Sequence, residues 1–182
     1  MAQGTLKFRT FLDPAPVSDE ELGQFLVERV RDAIPQRQAG SAIVVVRDKR
    51  IDIVGVRELQ SASLPTPRDA MAMFSRAQFH DGVDARAVGL IGTFGYRRQP
   101  ADTPVPTALV FLEWADCRWW QWRGLIDPAD NALRVDTETV RRATDGISRP
   151  NGLGGWWTRG RHLKGRASFM PHFPPVEDDV VH

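Results

Sequence analysis

Trp156, Trp157, Arg159, Arg161, His162, Lys164 and Arg166 fall within eleven consecutive residues that contain no acid. Aromatic planes interleaved with cations suit single-stranded nucleic acid, with rings stacking on bases and charges meeting phosphates. Tryptophan and arginine are also the residues most enriched at protein contact hot spots. Segment 152–166 thus supports either RNA binding or docking to a protein. In a third reading it is an ordered tail, whose tryptophans plug an apolar groove while its arginines meet solvent or the acidic end at Glu177, Asp178 and Asp179.

A second aromatic group, Arg118-Trp119-Trp120-Gln121-Trp122-Arg123, sits in mid-chain. At strand periodicity Trp120, Trp122 and Ile126 share one face, while Trp119, Gln121, Arg123 and Leu125 share the other. Tryptophan on both sides of one strand makes Trp120, Trp122 and Arg123 candidate contact residues together with the tail. Burial beneath the protein's own helices is the competing reading.

Catalytic chemistry has less support. Cys117 is the only thiol, in an expected tight turn beside Asp116, whose charge would raise its pKa rather than activate it. No Gly-x-Ser-x-Gly elbow occurs, and the glycines from Gly152 to Gly155 lack the Lys-Ser/Thr ending of a phosphate loop. His80, Asp81 and Asp84 could hold a divalent ion, but Asp and Gly after a helix more commonly form a solvated turn. Glu113 lies in an apolar run and would be a proton carrier if buried; pairing with Arg118 or Arg123 is the better-supported reading. We expect no catalytic residue, metal or cofactor. An enzyme whose site is assembled from distant residues is the last of three function classes.

The elements that must position these residues are marked locally. Leu6–Leu12 reads as an opening strand. Ser18 and Glu21 form a capping box, Val17 and Leu22 a hydrophobic staple, and Leu22, Phe25, Leu26, Val30, Ala33 and Ile34 line one helical face up to Pro35. Ala42–Val46 and Ile51–Val56 form a hairpin with a charged tip. Thr66 and Pro67 announce a second helix ending near Gly82. Ala87–Tyr96 is a strand whose Gly89, Thr93 and Gly95 allow close approach of another backbone or a ligand. Thr107–Asp127 makes a hairpin with a two- or three-residue loop, and Asp136 caps a third helix with Val135 and Val140 as its staple.

The predicted fold class is α+β: a single domain over 1–147 with a mainly antiparallel sheet of about five to six strands, two to three helices on one face, and an irregular tail over 148–182. Its 182 residues suffice for one self-supporting core. With 24 basic and 23 acidic side chains the net charge is +1, so no global field draws the chain to nucleic acid or lipid. Arginine outnumbers lysine 21 to three, a bias that fits a GC-rich bacterial genome. No secretory signal or membrane span is expected, and a lone cysteine suits a cytoplasmic setting. The expectation from sequence is a bacterial, non-catalytic interaction module, an accessory or adaptor with a protein partner and with self-association open. Single-stranded RNA is the alternative partner.

Overall fold

The computed structural model describes residues 7–11, 18–36, 40–47, 51–55, 64–67, 86–97, 99, 101–114, 116 and 118–143. Its frame is an antiparallel sheet carrying one α-helix among these residues. The strands are β1 (Lys7–Phe11), β2 (Ala42–Val46), β3 (Ile51–Gly55), β4 (Ala87–Tyr96), β5 (Val105–Trp114), β6 (Trp119–Asp127), β7 (Ala132–Leu133) and β8 (Thr139–Ala143). They run in the order β1-β3-β2-β4-β5-β6, with β7 and β8 both attached to β6.

Helix α1 (Asp19–Ala33) begins where its capping signals place it. The Ser18 N–H donates to Glu21 Oε2 at 2.8 Å, and the Glu21 N–H donates to Ser18 Oγ at 3.2 Å. Two N–H groups that the first turn cannot satisfy internally thereby find acceptors. Asp19, Glu20 and Glu21 place negative charge at the positive end of the helix dipole. Ile34 closes the helix by donating to the Val30 carbonyl, and Pro35 cannot continue it. Leu22, Leu26, Val27, Val30 and Ile34 are buried against Val44, Val46, Val110, Leu112, Trp114, Trp120, Trp122 and Ile126 of the sheet. Each such aliphatic burial contributes roughly 1.5–3 kcal/mol.

The opposite sheet face is also buried. Val88, Leu90, Phe94 and Phe111 are at most 1% exposed, although α1 packs on the other side. The small positions of β4 receive the chain itself: the Gly95 N–H donates to the Pro65 carbonyl, and its α-carbon faces Leu64 and Pro104. At Gly92 the backbone has φ +116°, and a Cβ there would stand 2.4 Å from the Gly40 carbonyl oxygen. Glycine is required on both counts.

The hairpin of β5 and β6 is closed by the Trp114 N–H donating to the Arg118 carbonyl, which leaves three residues between the closing pair, one of the two loop lengths expected. Two other expectations are corrected. The predicted third helix is a single 3-10 turn, Val135–Thr137, followed by strand β8. Asp136 does not cap it: the residue at the cap position is Arg134, which makes no side-chain cap bond. The ladder with β6 offers Thr139–Ala143 partners that a helix would forgo, and β-branched Thr139 and Val140 suit a strand. Among the described residues the sheet has eight strands, more than the five to six expected. The predicted second helix after Pro67 and the 147/148 boundary lie outside the described residues.

Candidate functional site

Strand β6 carries the mid-chain candidates, and the structure separates them by face. Trp120 and Trp122 are each 2% exposed and belong to the core beneath α1. Trp120 lies against Gly23, which is why the helix has no side chain there: a Cβ on Gly23 would come within 2.8 Å of Trp120 Cε2. Its indole Nε1 donates to Glu20 Oε2 at 3.2 Å. The indole Nε1 of Trp122 is buried without an acceptor among the described residues, as is that of Trp114. The Arg31 guanidinium stands over the Trp122 ring at 5.5 Å and pairs with Glu138. Contact with a partner through these two rings would require α1 to leave the sheet, so they are placed as core residues.

Arg123 emerges on the other face, where its guanidinium lies 5.7 Å over the Tyr96 ring and its Nε donates to Thr139 Oγ1 at 3.4 Å. On that same face Glu113 is 1% exposed, directly across from Val88 and Trp119 in the ladder. Arg118 and Arg123, its expected partners, are held by Asp19 and Asp116 and by Tyr96 and Thr139 respectively. Partial burial opposes ionisation of Asp116, yet the Arg118 side-chain and backbone hydrogen bonds, with its charge, outweigh that and lower the Asp116 pKa. The Asp116 hydrogen bond in turn raises that of Arg118, against desolvation and with help from Asp19.

Beyond β6 lies a segment for which sequence reasoning had assigned a helix. Thr139, Val140, Arg141 and Arg142 of β8 are all exposed, and among the described strands β8 pairs only with β6. Val140 is 48% exposed and Val135, in the adjoining 3-10 turn, 79%. Arg142 donates to Glu20 Oε2 at 3.0 Å, the carboxylate that also receives the Trp120 indole, and Arg141 has no partner among the described residues. The adjacent β-branched residues Thr139 and Val140 were the available signal for a strand here.

Trp156, Trp157, Arg159, Arg161, His162, Lys164 and Arg166 lie outside the described residues, as do His80, Asp81, Asp84 and Cys117. Among the described residues no group of three or more His, Cys, Asp or Glu is placed to hold a metal ion, and no helix is long and apolar enough to cross a membrane. Comparison of the chain with protein-family models, with curated proteins and with solved structures finds no match.

Proposed function

We propose that the chain is a non-catalytic protein-interaction module of bacterial type, and that its contact lies along the outer edge of the tryptophan hairpin rather than on the rings of Trp120 and Trp122. The observation that carries this is β8: an exposed strand, with no second partner among the described residues, flanked by exposed Val135 and Val140. Open strand edges are templates for pairing with another chain, and apolar side chains beside them are covered on association. In this proposal the core tryptophans act by anchoring β6, on which β8 depends, and Trp156 and Trp157 of the tail supply further contacts.

The test is affinity purification of the tagged full chain from bacterial lysate at low and high salt, beside a Val135→Asp/Val140→Asp variant with unchanged circular dichroism. One protein retained near stoichiometry by the wild type at high salt, and lost by the variant, is the expected result. RNA recovered only at low salt would replace this function with single-stranded RNA binding, in which Arg159→Ala and Arg161→Ala each lower the salt slope by about one. Retention of nothing at either salt overturns the proposal.

A further inference from the structure

We infer that β8 accepts an additional antiparallel or parallel strand, and that the strand it accepts is an extended acidic peptide. The inference rests on the interaction-module proposal and adds the partner's chemistry. Strand addition to a sheet edge draws its affinity from main-chain hydrogen bonds and its specificity from side chains at alternate positions. The outer side of β8 is open to such bonding among the described residues, because β7 pairs with β6 only at Ile126 and Asp127 and does not extend alongside β8.

Charge selects the occupant. Arg141 and Arg142 are adjacent in the strand and so project to opposite faces. Arg141 has no partner among the described residues, and the Arg142 side chain is 67% exposed despite its bond to Glu20. A second copy of β8 fits poorly. The antiparallel register that pairs all five residues sets Arg141 directly opposite Arg141 of that copy, and like charges directly opposite are destabilising. Arg141 and Arg142 together favour a strand bearing a carboxylate on each face, and Arg141 also acts against the identical strand. Exposed Val140 gives that strand one apolar contact beside the charges.

The experiment uses the full chain and a labelled synthetic peptide of Val-Glu-Glu repeats, whose adjacent glutamates face opposite sides of an extended strand. Its controls are a valine and lysine peptide of equal length, and a valine and glutamate peptide N-methylated at alternate residues. Affinity is read by fluorescence anisotropy and backbone engagement by hydrogen exchange across residues 139–143. The acidic peptide should bind about tenfold more tightly than the basic one. Arg141→Glu should reverse that preference and Arg141→Ala weaken it, while N-methylation on the edge-facing side abolishes binding and the outward amides of β8 become protected.

Equal binding of acidic and basic peptides overturns the inference. Acidic binding that ignores N-methylation and leaves β8 unprotected does so too, since that is a charge contact and not a strand. Protection of the outward β8 amides in the peptide-free chain also overturns it, assigning the edge to a second copy if protection rises with protein concentration and to the chain's own segments if it does not. A lysate partner lost by the Val135→Asp/Val140→Asp variant, together with any of these results, sinks the acidic strand alone; retention of no partner sinks the interaction module itself.

Discussion

Gly23→Ala tests whether Trp120 is a core residue held rigidly under α1. Two effects oppose one another. In an exposed helix interior, replacing glycine by alanine stabilises by about 0.8–1.0 kcal/mol. At this position the new Cβ would stand 2.8–2.9 Å from Trp120 Cε2, Cδ2 and Cη2, closer than real Cβ contacts occur. The ring cannot easily yield: it is 2% exposed, and its Nε1 is bonded to Glu20. Overpacking of this kind costs about 1–3 kcal/mol, so the net expectation is a loss of about 1 kcal/mol. In a Trp120→Leu background the clash is gone and the helix preference acts alone, so the same substitution should stabilise by about 1 kcal/mol. The sign therefore reverses, with a coupling of about 2 kcal/mol, within the range for residues in direct contact. Denaturant titration of the four chains, followed by far-ultraviolet circular dichroism, reads the midpoints at common slope. Stabilisation by Gly23→Ala in both backgrounds would refute the packing and return Trp120 to the candidates for a contact surface.

Three further outcomes are expected. Ser18→Ala should cost about 1 kcal/mol through loss of the cap. Hydrogen bonds from the Ser18 side chain and then its backbone lower the Glu21 pKa, so their contribution is full above the ordinary glutamate range and is lost as pH falls through the depressed folded value. The difference in midpoint between wild type and Glu21→Gln should accordingly narrow on acidification, and a pH-independent difference would refute the capping account. Gly92→Ala should destabilise by about 2 kcal/mol or more, because it combines φ +116° with a Cβ 2.4 Å from the Gly40 carbonyl oxygen. Gly40→Ala, where a Cβ meets nothing within 4 Å, is the control, and equal midpoints for the two variants would contradict the close approach.

Legibility followed the range of the interaction. The start of α1 could be read because Ser18 and Glu21 satisfy each other within one turn. Leu22, Leu26, Val30 and Ile34 were expected on its buried face and lie there, while Val27 and Gly23, buried too, were not anticipated. The hairpins β2–β3 and β5–β6 were visible as paired β-branched and aromatic runs, since a two-residue period needs no knowledge of the partner. The region after Asp127 misled for the same reason. Asp136, Val135 and Val140 have the spacing of a helix start, but the competing ladder partner is Trp119–Arg123, too far back in the chain for a local pattern to register.

From sequence alone, period two divided β6 into its two faces and grouped Trp120 with Trp122 and Ile126, as the structure has them. Which of those faces lies beneath α1 was decided by tertiary structure. That assignment depends on α1 crossing the sheet at Gly23, where the absence of a Cβ admits the Trp120 ring. The choice between helix and strand at Thr139–Ala143 was likewise tertiary, because the hydrogen bonds that win are supplied by β6. Capping boxes and alternation carry their partners within a few residues. Burial and strand pairing depend on surfaces brought together across the chain, and only the assembled sheet supplies them.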